Sequence, residues 1–145
     1  LAAGKGSIVN IASMSGSYGQ AMRGAYTPTK AGIIGLTSLT AVEWGGRGIR
    51  CNAISPGMIS TPAHVEAYSN EALKTAREAM IPLGRIGDGN DIADVVVFLA
   101  SDAARYINGA NIPVDGGVTK ALLALMPVPT ANGEIETTLS QLGLR

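Results

Sequence analysis

The sequence predicts an α/β fold built on an open parallel sheet. Apolar runs typical of buried strands alternate with stretches of helical spacing, in the order strand, helix, strand, helices, strand. That order predicts parallel strands joined by right-handed crossover connections. Only 15% of the residues are charged and 46% are hydrophobic, whereas about 25% charged is typical of soluble domains. We therefore expect part of the surface to be covered by other protein.

Three short apolar runs are the predicted strands. Residues 7–11 form a nearly continuous apolar run, which indicates a central strand that is buried on both faces and paired on both edges. Residues 49–55 form the second strand. The third, residues 111–114, contains a proline that cannot donate to a ladder, and this predicts an edge strand. The small polar residues 12–19 after the first strand predict a loop.

Helical spacing predicts three helices. The first covers about residues 25–43 and has Pro28 in its opening turn, where a missing N–H costs nothing. A polar helix follows near residues 65–78. The third helix, residues 91–101, is rich in valine, a poor helix former, so it should depend on burial.

The first helix has an unusually bare stripe. Ala31, Gly32 and Gly35 are small residues that lie near one another at helical spacing. They could belong to a loosely packed helix interior, but glycine destabilises helices. The pattern therefore favours the close approach of another helix.

The composition argues against several classes of function. The chain has 11 basic and 11 acidic residues without a run of either sign, so charge gives no reason to expect nucleic acid or an anionic membrane. No stretch has the length and apolar character of a membrane span. The single cysteine, Cys51, excludes an internal disulfide and fits a reducing compartment such as the cytoplasm. One histidine and one cysteine argue against a metal site of the zinc type.

Ser13, Tyr26 and Lys30 are the residues best suited to chemistry. Tyr26 and Lys30 are four residues apart at a predicted helix start, so both project from one face. A phenol by itself keeps its proton at neutral pH, whereas a nearby ammonium stabilises the phenolate and allows proton exchange with an alcohol. Ser13 follows the first strand and can hydrogen-bond a substrate oxygen on which charge develops.

A tyrosine and a lysine at this spacing are a weak signal alone, because an exposed tyrosine beside a solvated lysine is the simpler interpretation. Other motifs change that balance. The second strand runs into N-x-x-x-P-G at 52–57, and the third into D-G-G at 115–117. Ligands bind at the carboxyl ends of strands in open parallel sheets, and the serine, the proline and the glycine would all lie there.

Taken in order, these motifs resemble the classical short-chain dehydrogenase/reductases. The set is I-V-N-I-A-S at 8–13, Y-x-x-x-K at 26–30, N-x-x-x-P-G at 52–57 and D-G-G at 115–117. The likeness covers roughly positions 4 to 118. It implies a Rossmann-like, doubly wound parallel sheet, of which this chain is the C-terminal half.

The resemblance also implies a reaction: hydride transfer between NAD or NADP and a secondary alcohol or ketone. Tyr26 would be the proton donor or acceptor and would also contact the nicotinamide cofactor. Lys30 would favour the tyrosinate and bind the nicotinamide ribose, and Ser13 would orient the substrate oxygen. Pro56 and Gly57 would line the nicotinamide pocket. The backbone of Ile59 and the hydroxyl of Thr61 would hold the carboxamide.

Four further residues lie near the expected site in the sequence. Ser15, Tyr18, Gln20 and Met58 either line a substrate pocket or pack the surrounding loops. We take Ser15, Tyr18 and Met58, together with Ser13, as candidate substrate contacts. The sequence is compatible with a polyol, a cyclic alcohol or an acyl ketone, and it leaves the substrate, the choice of NAD or NADP and the direction of reaction open.

The chain lacks the glycine-rich phosphate loop and the first four strands of this family. It begins at Leu1, within what reads as a helix end. We therefore expect residues 1–117 to be the catalytic half of the domain and residues 118–145 to be a C-terminal extension. The N-terminal half should be a separate polypeptide that pairs along residues 7–11. The resemblance further implies a homotetramer, with the bare stripe at one contact and the edge strand and tail at another.

Two other functions remain as alternatives. The chain could be a non-catalytic binding or assembly subunit of the same family, although intact Ser13, Tyr26 and Lys30 argue against that. It could also be an epimerase or dehydratase relative that uses the same tyrosine and lysine. The short spacing and the D-G-G ending favour simple redox chemistry.

Overall fold

The computed structural model describes residues 4–62, 68–125 and 127–137. The chain divides into two compact units. The first comprises Leu1–Gly57 with Gly89–Val114, and the second comprises Met58–Asp88 with Asp115–Arg145. The first unit holds the sheet predicted from the sequence.

The helices and strands follow the predicted order. In chain order they are β1 (Gly6–Ile11), α1 (Met14–Ser17), α2 (Tyr26–Gly45), β2 (Ile49–Pro56), α3 (Glu71–Glu78), α4 (Gly89–Ala100), β3 (Asn111–Val114), β4 (Pro127–Pro129) and β5 (Ile135–Thr137). Short 3₁₀ segments cover Asp102–Ala104 and Val118–Leu125. Within the described part of the chain, no helix combines the length and the apolar character needed to cross a bilayer.

The main sheet contains three parallel strands in the order β1-β2-β3. Its register pairs Ile11 with Ile54 and Ile54 with Ile112. β3 is an edge strand, as Pro113 predicted. β2 is the central strand of the described sheet, and five successive residues of it, from Cys51 to Ser55, are buried. The second neighbour predicted for β1 stays a prediction.

Three predicted boundaries need correction. Residues 12–19 are not all loop, because α1 forms within them. The third predicted helix begins earlier than expected, at Gly89, and ends at Ala100. Of the helix predicted at residues 65–78, the structure describes α3, which begins after its N-cap Asn70, and residues 63–67 lie outside the described range.

α2 and α4 cover opposite faces of the sheet. The Asn10 side chain of β1 donates to Thr37 of α2 (2.9 Å), whereas the Ser7 hydroxyl of β1 donates to the Leu99 carbonyl of α4 (2.9 Å). Residues 7 and 10 point to opposite faces, because side chains alternate along a strand. The sheet is therefore covered on both faces, as the doubly wound class requires.

This arrangement corrects the expected handedness of the crossovers. The connections from β1 to β2 and from β2 to β3 advance in the same direction across the sheet, yet they place their helices on opposite faces. The two crossovers therefore have opposite hands, and the expectation that both are right-handed is wrong. The preference for the right hand comes from a twisted strand feeding directly into a helix that packs back on the sheet. The second connection instead passes through residues 58–88, which belong to the other compact unit.

The apolar core lies on the face covered by α4. Ile54, Leu99 and Ala104 are fully buried, and partly buried aliphatic residues surround them: Val9, Ile92, Val95, Val96, Ile107, Ile112 and Val114. α4 thus buries one valine-rich side as predicted, while Val97 on its other side is 68% exposed.

The contact on the α2 face is more polar. Thr37 and Ala41 are the buried residues of α2. Thr37 accepts from the Asn10 side chain, and the Asn10 amide nitrogen lies 3.6 Å from the Cys51 sulfur. Burial raises the pKa of the Cys51 thiol, although hydrogen bonds to Thr40 and Thr37 act in the opposite direction.

The outer side of α2 is apolar and exposed. Leu36, Leu39 and Val42 are between 54% and 82% exposed. A Cβ atom added at Gly32 or Gly35 would meet nothing within 4 Å. No helix of this chain therefore covers the bare stripe among the described residues, and its role as a contact between copies stays a prediction.

In the second unit, the D-G-G motif forms a tight turn. The Asp115 carboxylate accepts hydrogen bonds from the Gly117 and Thr119 amides (2.9 and 3.1 Å). Gly116 has a positive φ of 61°, and a Cβ there would lie 2.5 Å from Ile81, so a side chain does not fit. The small β4–β5 hairpin follows. The domain boundary placed after Gly117 stays a prediction.

Candidate active site

Ser13 lies where β1 gives way to α1. The ladder continues one step past the strand, because the Ala12 amide donates to the Ile54 carbonyl (2.7 Å). Ser13 then caps α1: it has an extended backbone, and its hydroxyl oxygen accepts from the Ser15 amide (3.1 Å). A hydroxyl that accepts this bond keeps its own proton for donation. Ser13 is thus a buried side chain, and its hydroxyl proton has no acceptor among the described residues.

Gly16 allows α1 to lie directly against α2. A Cβ at this position would be 2.8 Å from the Lys30 carbonyl carbon and 2.9 Å from its oxygen. Because both are backbone atoms, they cannot swing away as a side chain would. The short helix that begins after Ser13 is therefore packed against the backbone of Lys30.

Lys30 reaches back to the end of β1. Its ammonium nitrogen donates to the Ile11 carbonyl (2.9 Å) and lies 5.7 Å from the centroid of the Tyr26 ring. This distance is within the range of a cation–π contact. The lysine uses one of its three donors on the strand, and Tyr26 is 46% exposed. The phenol, the ammonium and the turn that carries Ser13 therefore meet at the carboxyl edge of β1.

Two of the four less certain residues contact each other. The buried Ser15 donates its hydroxyl proton to the Gln20 side-chain oxygen (2.5 Å). Tyr18 caps the end of α1 through its backbone, and its side chain is 47% exposed. The sequence placed Ser15 and Gln20 near the site but contained no signal for their pairing.

The second motif ends at the same edge of the sheet. Pro56 is the last residue of β2, and the Gly57 amide donates to the Val114 carbonyl (3.0 Å). Asn52, the first residue of this motif, is fully buried and donates to the Ile107 carbonyl while it accepts from the Ala110 amide. The asparagine thus anchors the segment that leads into β3, a structural role that the sequence did not reveal.

Three predicted site residues belong to the second unit. There the Met58 carbonyl accepts from the Gly87 amide (3.0 Å), and Ile59 forms an isolated bridge with Gly87. Thr61 is half-buried. Their predicted roles toward a substrate or a nicotinamide stay predictions. Among the described residues, no group of three histidine, cysteine or acidic side chains could hold a metal ion.

A family model described as enoyl-(acyl carrier protein) reductase matches residues 1–119. Curated relatives of the chain include members of the family that the motifs indicated, with identities close to one half. The chain belongs to the short-chain dehydrogenase/reductase family. Recognition of this family from the sequence is therefore confirmed.

Two curated relatives of this short-chain dehydrogenase/reductase chain are named for different substrates. The L-rhamnose-1-dehydrogenase of Scheffersomyces stipitis is 50% identical over 113 residues, which are 78% of this chain and 44% of the relative. The (3R)-3-hydroxyacyl-CoA dehydrogenase of Mus musculus is 49% identical over 115 residues, which are 79% of this chain and 44% of the relative. The chain thus spans less than half the length of either relative.

A solved structure supports the fold. The gluconate 5-dehydrogenase of Burkholderia cenocepacia J2315, crystallised with NADP and tartrate, has a TM-score of 0.78 and 30% identity. The superposition covers 83% of this chain and 48% of that one. The predicted Rossmann-like parallel sheet is confirmed, and this short-chain dehydrogenase/reductase chain corresponds to about half of the solved domain.

Proposed function

We propose that this chain is the catalytic half of an NAD(P)-dependent oxidoreductase that acts on a secondary alcohol or ketone. The observation that carries the proposal is the position of Lys30. Its ammonium lies against the Tyr26 ring and is held there by the Ile11 carbonyl. Family membership supports the reaction class, and the relatives named above are dehydrogenases. The substrate and the roles of individual residues are part of the proposal.

In this proposal the chain supplies the proton chemistry. Tyr26 gives its phenol proton to the substrate oxygen during reduction and takes it back during oxidation. Lys30 stabilises the phenolate by its positive charge. The Ser13 hydroxyl donates a hydrogen bond to the same substrate oxygen, on which negative charge develops. The bond from the Ser15 amide keeps that hydroxyl oriented before the substrate arrives.

The donor set at this edge fits a nicotinamide dinucleotide. Lys30 has two N–H donors beyond the one used on Ile11, enough for a ribose hydroxyl. When bound, the nicotinamide would accept or supply the hydride. We assign the lining of its pocket to Pro56 and Gly57, and the carboxamide contacts to the Ile59 backbone and the Thr61 hydroxyl. These four assignments rest on the family motif.

The proposal extends to assembly. The exposed apolar side of α2, with Leu36, Leu39 and Val42 beside Gly32 and Gly35, has the composition of a helix–helix contact. We propose that copies meet through this face in a tetramer. We further propose that turnover requires the half of the domain that the relatives have and this chain does not span, so activity is to be measured in preparations that contain both halves.

Tyr26→Phe tests the central assignment. It removes the exchangeable proton but keeps the ring beside Lys30. We expect kcat to fall by about 10²–10⁴-fold, with cofactor affinity nearly unchanged in a fluorescence titration. Tyr106→Phe is the matched control, because Tyr106 is fully exposed and is assigned no role. A Tyr26→Phe enzyme that keeps more than about a tenth of the wild-type rate would remove the tyrosine from the mechanism.

Lys30→Ala tests the second assignment. It removes both the charge beside Tyr26 and the donors proposed for the ribose, so kcat and cofactor affinity should fall together. Normal kcat and normal cofactor affinity would leave Lys30 as a purely structural lysine that binds the Ile11 carbonyl.

A further inference from the structure

Ser15 connects the Ser13 hydroxyl to the Gln20 side chain. Its backbone amide donates to Ser13 Oγ (3.1 Å), and its hydroxyl donates to Gln20 Oε1 (2.5 Å). Ser15 is 4% exposed and belongs to α1, which Gly16 packs against the Lys30 backbone. Its position is therefore fixed on several sides, and it provides a rigid attachment point for a neighbouring side chain.

Gln20 is attached at one end and exposed at the other. Its carboxamide oxygen accepts from the buried Ser15, whereas the residue itself lies on the surface of the loop that leads into Tyr26. With Oε1 occupied in this way, the amide nitrogen carries two N–H donors. Within the described residues, no hydrogen bond from that nitrogen is found. The hydrogen bond from the Ser15 hydroxyl thus orients the two N–H donors of Gln20. The same residue, Ser15, also donates its backbone amide to the Ser13 hydroxyl oxygen.

We propose that Gln20 is a specificity-determining residue that donates to a second oxygen on the substrate, next to the reacting carbon. The inference rests on the proposed function, because it takes Ser13 and Tyr26 as the pair that binds the reacting oxygen. It favours substrates with a hydroxyl or carbonyl oxygen adjacent to the reacting carbon over substrates with hydrocarbon there. A site built to hydrogen-bond such an oxygen discriminates against an analogue that lacks it.

Two substrates separate this role from a general effect on the enzyme. Cyclohexanol and its vicinal diol differ by one hydroxyl next to the reacting carbon, and neither is charged. With the wild-type enzyme we expect a kcat/KM about tenfold or more higher for the diol, expressed mainly in KM. Equal values for the two alcohols would overturn the inference.

Two variants separate donation from loop anchoring. Gln20→Met removes both the donors and the acceptor, whereas Gln20→Glu keeps an oxygen for the Ser15 hydroxyl but has no N–H. Both should lower kcat/KM for the diol by about tenfold and leave cyclohexanol within about twofold. Wild-type behaviour of Gln20→Glu would mean that Gln20 only holds the loop. An equal loss with both alcohols in either variant would also overturn the inference.

Ser15→Ala and the double variant test the coupling. If Ser15 acts on the diol through Gln20, the double variant should lose little more of the diol preference than Ser15→Ala alone. Additive losses of the two single variants would contradict the coupling between Ser15 and Gln20. Thermal midpoints of all variants show whether the fold is intact. Tyr26→Phe in the same assays separates the two proposals. If this variant keeps its activity with both alcohols, the proposed function is refuted. An unchanged diol preference in Gln20→Met refutes only this inference.

Discussion

The two faces of the sheet are packed in different ways. α4 packs on its face through a continuous set of aliphatic side chains around Ile54 and Leu99. α2 packs on the opposite face through Thr37 and Ala41, and a hydrogen bond from Asn10 joins the strand to the helix. The first contact is mainly apolar, with a hydrogen bond from Ser7 to the Leu99 carbonyl, whereas the second is more polar and includes the close backbone contact at Gly16.

This difference suggests a division of labour. Burial of aliphatic area supplies most of the free energy of a core, but it tolerates small shifts. Hydrogen bonds and close backbone contacts set distances. On the α2 side, the Gly16 contact and the Lys30–Ile11 bond hold the candidate site. We infer that the α4 face mainly stabilises the sheet and that the α2 face mainly positions the site.

Leu99→Ala should give the largest loss of stability. Leu99 is fully buried at the centre of the core, and leucine-to-alanine changes at such positions cost about 2–5 kcal/mol. Urea denaturation measures the free energy of unfolding. Val97→Ala in the same helix is the control, since a residue that is 68% exposed should change stability by no more than about 0.5 kcal/mol. Equal losses for the two variants would refute the assignment of the core to this face.

Gly16→Ala should break the positioning side of the comparison. The added methyl cannot fit 2.8 Å from the Lys30 carbonyl carbon, so α1 must move away from α2 at a cost of about 1–3 kcal/mol. Because Ser13 and Lys30 would separate, kcat should fall more than the lost stability explains. Gly19→Ala, where a Cβ meets nothing within 4 Å, should be nearly neutral in stability. A fully active Gly16→Ala enzyme would show that this contact does not set the site.

Gly35→Ala tests whether the outer side of α2 is a contact between copies. In an isolated helix, alanine is more stable than glycine by about 0.5–1 kcal/mol. Within a close helix–helix contact, the methyl should instead weaken association by about tenfold, equivalent to about 1.4 kcal/mol. Sedimentation equilibrium distinguishes these results, with Gly89→Ala, a change into open space, as the control. Unchanged association would remove Gly35 from the interface.

Cys51 gives the smallest expected effect, at alkaline pH. Burial raises the pKa of its thiol in the folded protein, so the unfolded chain releases this proton first as the pH rises. The resulting contribution is complete below the unfolded pKa, near about 8.5, and is lost as the pH approaches the folded value. Over roughly pH 8 to 10, the free energy of unfolding should fall more steeply with pH for the wild type than for Cys51→Ala. Parallel slopes would show that the thiol is not shielded on the α2 face.

Much of the fold could be predicted from local signals. Apolar runs located all three strands of the main sheet to within one residue, and Pro113 predicted the edge. α1 could not be predicted, because it consists of small polar residues and depends on the Ser13 cap and on contact with α2. The handedness of the second crossover was also missed. It depends on a long connection whose path the local pattern does not encode.

The candidate site was predictable where motifs reinforce one another. Tyr26 and Lys30 followed from their spacing together with Ser13 and the motif at 52–57. The Ser15–Gln20 contact could not be predicted, because it depends on side-chain directions across a loop. The apolar outer side of α2 was missed for a related reason. Leu36, Leu39 and Val42 have helical spacing, but only tertiary structure shows that Thr37 and Ala41 face the sheet.

The long connection between β2 and α4 makes the chain tolerant of divergence. Asn52 precedes that connection in the chain, and it hydrogen-bonds Ile107 and Ala110, which follow it. The described residues of this connection, 58–62 and 68–88, take no part in the β2–β3 ladder, and each doubling of a loop's length costs only about 0.6 kcal/mol in closure entropy. A change in the length or composition of this stretch is therefore expected to leave the strand ends that carry Ser13 and contact Lys30 in place.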